Sequence, residues 1–179
     1  MMGAWAVRDR FLNLETRWFN LIGEHLETEQ GNLLEYWRVE RAHSLIVLAL
    51  LDNTLLLPEP MYRPGVGAAT LDFPGGRVSP EQSLDTAARQ ILHRELGIDV
   101  EPSLPLLLLN PGGWPVNSSF SNQRLFGMVA HLTSSCSPTV PHRRYACSPA
   151  GIEQLLTQLS CLQCRAVVRE WQVHNDDMP

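Results

Sequence analysis

Residues 71–98 read Leu71-Asp-Phe-Pro-Gly-Gly-Arg-Val-Ser-Pro-Glu-Gln-Ser-Leu-Asp-Thr-Ala-Ala-Arg-Gln-Ile-Leu-His-Arg-Glu-Leu-Gly-Ile98. Leu84, Ala87, Ala88, Ile91 and Leu92 recur at i, i+3, i+4, i+7 and i+8, which places them on one face of a helix. Gly97 can end that helix from a left-handed position beyond its last turn. Upstream, Leu71 and Phe73 read as the end of a strand, Pro74-Gly75-Gly76 as a tight turn, and 77–82 as a polar loop. The stretch is therefore a loop, a helix and a stop.

This loop-helix-loop resembles the Nudix box: a Gly, five residues, Glu, seven residues, then Arg-Glu-apolar-x-Glu-Glu-x-Gly-apolar. Counted from Gly76, the match runs to Gly97 and Ile98 without insertion or deletion, and Leu92, Glu95, Gly97 and Ile98 fall where the pattern puts them. The charged positions depart from it. Gln82 and Gln90 replace the box's structural Glu–Arg pair, and two amides can hydrogen-bond where two charges would. The segment that supplies Mg²⁺ ligands in the family reads Gln90-Ile91-Leu92-His93-Arg94-Glu95, so Glu95 alone survives as a carboxylate. A register slipped by one residue would pair Glu81 with Arg89. It leaves Gln90 at the first metal position and demands a bulge before Glu95, so the unslipped frame is preferred.

Upstream of the box the similarity is to the ADP-ribose pyrophosphatase branch, where a strand ending in Gln-Tyr-Arg precedes Val-Gly and Glu-x-Pro-Ala-Gly. Here the chain has Met61-Tyr62-Arg63, Val66-Gly67 and Asp72-Phe73-Pro74-Gly75-Gly76. The resemblance covers about residues 18–130. It implies an α+β Nudix fold, a mixed sheet sandwiched between helices with an N-terminal antiparallel hairpin, commonly as a homodimer. It implies also that Glu95 is the catalytic carboxylate and that Glu95 and the Gly75 carbonyl are the metal ligands, with Mg²⁺ as the cofactor if the protein is hydrolytic. Arg63, Gly75, Gly76, Arg77, Arg94 and Gln123 become the expected ligand-binding residues. A family segment like Gly-Phe-Ser-Asp-Glu-Arg corresponds to Ser119-Phe120-Ser121-Asn122-Gln123-Arg124, in which both carboxylates have become amides.

The rest of the chain fits around this centre. Trp18–Thr28 and Leu33–Glu40, joined by Glu29-Gln30-Gly31-Asn32, read as an antiparallel hairpin, and residues before 18 as a short helix or strand. Leu45–Leu51 is a continuous apolar run, hence a strand covered on both faces. Asp52-Asn53 turns it into Leu55–Leu57, which Pro58 and Pro60 end. Leu104–Leu109 reads as another buried strand and Leu125–Leu132 as a further one. Residues 133–147 read as a loop without acidic residues that bears His142-Arg143-Arg144, where the family carries an acidic loop. Ser148-Pro149 starts one helix, Cys161–Val173 forms the last, and 175–179 is a polar tail. Residues 1–40 are expected as N-terminal strands attached to a Nudix domain over 41–179, in one globular unit overall.

With 179 residues, 44% of them hydrophobic, the chain has the length for a sizeable core. A formal net charge of −5 argues against nucleic acid and membrane surfaces as partners. All fourteen basic residues are Arg, so lysine chemistry is excluded while bidentate phosphate recognition stays open. No apolar run is long enough to span a bilayer, and charges come too early for a signal peptide, so a cytoplasmic protein is expected. The four cysteines, at 136, 147, 161 and 164, are expected as reduced thiols that partly fill the core.

Two functions follow as expectations. The first is a non-hydrolytic pseudoenzyme that binds a nucleotide, a nucleoside diphosphate-sugar or a protein partner, with Arg94 supplying positive charge in place of Mg²⁺. The second is an active Mg²⁺-dependent hydrolase of ADP-ribose or another nucleoside diphosphate-linked sugar, with Glu95 on the metal and His93 as a base. A purely structural subunit is a third reading, and it predicts no nucleotide affinity.

Overall fold

Three strands lead the chain: β1 (Ala6–Glu15), β2 (Asn20–Glu27) and β3 (Leu33–Glu40). They belong to a computed structural model that describes residues 4–176. β2 and β3 pair antiparallel from Asn20 against Glu40 to Glu27 against Leu33, the hairpin expected from two runs joined by turn-forming residues. Gly31, at φ 81°, makes the reversal between them. The segment before residue 18 is a strand, not a helix, and pairs antiparallel with β2 through two irregularities of register. Only one of its residues is even half-buried, which is why it carries no clean apolar period.

These strands and residues 115–124 make up one compact unit; residues 44–114 and those from 125 onward make up a second. Within the first, Glu24 at the middle of β2 is 1% exposed. It accepts from Arg10 at 2.7 and 3.0 Å and from Arg38 at 2.9 and 3.1 Å. Arg38 foremost, and Arg10 with it, hold this carboxyl below the ordinary carboxylate range against the opposing cost of burial.

The second unit continues with β4 (His43–Leu51), β5 (Thr54–Pro58), β6 (Met61–Arg63), β7 (Ala68–Thr70), β8 (Gly75–Val78), α1 (Leu84–Leu96), β9 (Leu106–Leu108), β10 (Trp114–Pro115), β11 (Arg124–His131), β12 (His142–Ala146), α2 (Pro149–Gln158) and α3 (Leu162–Asp176). The main sheet runs β10-β11-β4-β5-β12, with β8 added on β4 and β9 on β11. β11 is parallel to β4 and the other resolved pairings are antiparallel, so the sheet is mixed. Asp52 and Asn53 both take positive φ between β4 and β5, as a type I′ hairpin turn requires.

β4 shows why its sequence is apolar throughout. Leu45, Val47, Ala49 and Leu51 pack with Ala87, Ala88, Ile91 and Leu92 of α1. Ile46, Leu48 and Leu50 face the opposite way, with Ile152 and Leu155 of α2 and Val167 and Trp171 of α3. The sheet therefore lies between α1 on one face and α2 and α3 on the other, the α+β sandwich expected.

Four local expectations are corrected. Pro74-Gly75-Gly76 is not a tight turn: from Gly75 the chain is strand β8, and the Pro74 carbonyl accepts from Val47 N–H at 2.9 Å. A β-carbon on Gly75 would stand 3.2 Å from the Leu45 carbonyl oxygen, so glycine here permits close approach of two backbones. Leu104–Leu109 is not a buried strand; β9 is three residues long at a sheet edge, with Leu107 47% exposed. His142-Arg143-Arg144 is not in a loop but on β12, paired with Pro58, Leu57 and Leu56 of β5, and Arg143 meets Glu59 at 3.0 Å. The last helix begins at Leu162 and reaches Asp176; the tail beyond it lies outside the described residues.

Candidate functional site

α1 is built as its sequence demands. Ser83 caps it by accepting from Thr86 N–H at 3.1 Å, and Gly97 at φ 64° donates to the His93 carbonyl at 2.9 Å. Gln82 Nε2 donates to Gln90 Oε1 at 2.8 Å, so the amide pair bridges loop and helix where the family's box has an ion pair. Arg89 does not meet Glu81. It pairs with Asp85 at 2.6 Å and donates to the carbonyls of Val100, Glu101, Pro102 and Leu104, which ties the helix to the segment after it. That removes the slipped register.

At the C-terminal end of α1, Arg94 turns back over β8. One guanidinium nitrogen donates to the Gly75 carbonyl at 2.8 Å and to Glu95 Oε1 at 2.5 Å. Glu95 Oε2 accepts from Gly75 N–H at 3.2 Å. A β-carbon on Gly76 would lie 3.2 Å from that guanidinium, so Gly76 leaves the passage it uses. Ile91 is 2% exposed within the apolar cluster between helix and sheet.

Both oxygens expected to hold a metal, on Glu95 and Gly75, are thus engaged by the same fixed cation. Mg²⁺ needs six oxygen donors in near-octahedral array, and these residues offer one carboxylate already paired with Arg94. The donor set does not fit Mg²⁺. His93, the expected base, is exposed and holds Asp99 at 2.7 Å.

Arg63, Gly75, Gly76, Arg77 and Arg94 line one cleft of about 460 Å³, together with Asp72, Phe73, Cys161 and Cys164. Arg63 pairs with Asp72 at 2.9 Å, and Thr70 Oγ1 donates to the same carboxylate oxygen at 2.9 Å. Gln123 belongs to the first unit. It is 4% exposed, donates to the Ala42 carbonyl at 3.3 Å, and lines a separate pocket of about 310 Å³ with Phe19, Val39, Arg41 and Phe120. The cleft can chemically receive an anion: three guanidinium groups reach one concavity, although Arg63 is held by Asp72 and one nitrogen of Arg94 by Gly75 and Glu95, and a guanidinium can pair its N–H donors with phosphate oxygens.

Cys161 and Cys164 were expected in the core, and Cys164 is there at 2% exposed. Cys161 instead opens on the cleft, half-buried, at the start of α3. The Cys-x-x-Cys spacing just ahead of a helix was the available signal, but nothing in the chain order places it beside three arginines.

The crystal structure of an ADP compounds hydrolase is similar to this chain with a TM-score of 0.77, over 98% of this chain and 97% of that one, at 20% sequence identity. No family model and no curated protein matches the sequence. The sheet between helices, the antiparallel strands ahead of it and the loop-helix-loop beside β4 thus make up a Nudix fold.

Proposed function

We propose that this protein is a non-hydrolytic nucleotide-binding member of its fold, whose cleft takes the diphosphate of a nucleoside diphosphate or nucleoside diphosphate-sugar without cutting it. The observation that carries the reading is Arg94, whose guanidinium holds the Gly75 carbonyl and the Glu95 carboxylate together. A guanidinium supplies the positive charge that a metal would bring, but it carries no water to be activated. Arg63 and Arg77 add two more cations around the same cleft. The chain works in the cytoplasm as a homodimer. Support for the dimer is the apolar surface of the first unit, where Val7, Leu14, Trp18 and Leu33 are each more than half exposed. Among the described residues no helix is long and apolar enough to cross a membrane.

A second reading, Mg²⁺-dependent hydrolysis of ADP-ribose, draws on the fold shared with an ADP compounds hydrolase. One experiment separates the two. Purified protein is titrated with ADP-ribose by calorimetry and then incubated with it in excess Mg²⁺ and in excess Mn²⁺, with chromatography for AMP. Saturable binding without AMP is the expected result. AMP formed at an enzyme-like rate and lost in Glu95→Gln establishes the hydrolase, and no binding at all points to a protein partner or a structural subunit.

A further inference from the structure

The cleft has a second chemical feature that anion binding does not use. Cys161 stands at the N-cap of α3, its carbonyl accepting the first intrahelical bond from Arg165 N–H at 3.1 Å. Its sulfur lies beside the Cys164 thiol, and hydrogen bonding from that thiol and from the backbone N–H groups of Cys164 and Gln163 favours its charged form. Cys164 lies one turn deeper, and its thiol also reaches Asp72 Oδ1 at 3.9 Å. The two sulfurs and an Asp72 oxygen all lie within 4.8 Å of one another. Residues three apart at the start of a helix lie within the reach of a disulfide.

We propose that Cys161 and Cys164 are a redox-active dithiol in the wall of the cleft, with Cys161 the attacking thiolate, Cys164 the resolving thiol, and a low-molecular-weight disulfide as the oxidant.

The two thiols have opposite characters, as such a pair needs. The Cys164 hydrogen bond, with help from the two backbone N–H groups, lowers Cys161 to about 6 despite burial and the nearby Asp72. Cys164 is pushed up by its bond to Cys161 and by burial, so it keeps its proton. The charged and titratable groups that share the cleft with Cys161 are Arg63 of β6, Asp72, Arg77 of β8, Arg94 of α1 and Cys164 of α3. Three of the five are permanent cations, of which Arg63 is paired with Asp72 and Arg94 with Glu95.

In the reaction the Cys161 thiolate attacks one sulfur of the small disulfide. A new S–S bond forms as the old one breaks, and one small thiolate leaves. Capping Cys161 removes the charge and the hydrogen bond that held the proton on Cys164. That proton passes to solvent, the Cys164 sulfur attacks Cys161, and the second small thiol departs. Two protein thiols lose two electrons, and the small disulfide gains them as two thiols. A soft divalent cation on Asp72, Cys161 and Cys164 is the competing occupant. The three arginines count against it, one of them already paired with Asp72.

The test uses the full chain, reduced, with its metal content measured and then exposed to glutathione disulfide. The expected result is loss of two of the four thiols, with peptide mapping that places the bond between Cys161 and Cys164. Cys164→Ser should stop at one glutathione on Cys161, and Cys161→Ser should take up none at Cys164. Iodoacetamide labelling of Cys161 should follow a pH profile with its midpoint near 6 in place of the ordinary ~8.5. All four thiols surviving, a bond elsewhere, a midpoint near 8.5, or one zinc per chain masking both thiols would each overturn the proposal. Circular dichroism of both serine variants confirms that they are folded.

Discussion

At the scale of single residues, the proposed function turns on Arg94. Its guanidinium joins Gly75 and Glu95, which belong to different elements, across a passage that Gly76 leaves open. Arg94→Ala should weaken ADP-ribose binding about tenfold, the scale of one charge-assisted hydrogen bond, with little change in melting temperature, read by calorimetry and a thermal scan. The variant should not gain hydrolysis, because Ile91 stands where the family's box has a metal carboxylate and is packed against the sheet at 2% exposed. A glutamate at that position would bury a charge in an apolar cluster, so the box cannot be rebuilt there without loss of stability. The Gln82–Gln90 bridge joins loop and helix without charge, and both glutamines could be expected there from the places they take in the box the stretch resembles.

Among the elements, α1 is the one whose ends matter most. Gly97 takes φ 64°, and a β-carbon there would lie 2.0 Å from Thr139 Oγ1. Gly97→Ala should therefore destabilise the protein by about 1–2 kcal/mol, through left-handed strain and displacement of Thr139, measured as a lower denaturation midpoint at unchanged slope. The helix, its caps and its buried face were legible from residues 83–98, because capping and amphipathic period are local properties. β8 and β12 were not. Pro74-Gly75-Gly76 carries turn signals, yet its backbone pairs with β4, and His142-Arg143-Arg144 is polar, yet its backbone pairs with β5. Strand pairing joins residues distant in sequence, and a short polar or glycine-rich strand leaves no period to mark it.

For the whole molecule, the first unit carries exposed apolar side chains, Leu33 among them at 65% exposed, and its surface is the one proposed to join two copies. Light scattering should give twice the 20.1 kDa chain mass, and Leu14→Glu with Leu33→Glu, two exposed residues on one face of the β1–β3 sheet, should return the single-chain mass while the far-ultraviolet spectrum stays unchanged. A single-chain mass for the unaltered protein would remove the dimer.

The order of residues was enough to determine the local frame: the capped helix of residues 84–96, the strand of residues 43–51 apolar on both faces, and a segment resembling the Nudix box in which Glu95 alone is a carboxylate among the box's metal positions. Each of these depends on neighbours within a few turns of chain, so period and spacing expose it. Only the tertiary structure decided that Arg94 takes up both expected metal ligands, that Gln123 is buried beside a pocket of its own, and that Cys161 opens on the arginine-lined cleft. Those outcomes depend on distances between residues from about 20 to 100 positions apart, which packing sets and sequence spacing does not express.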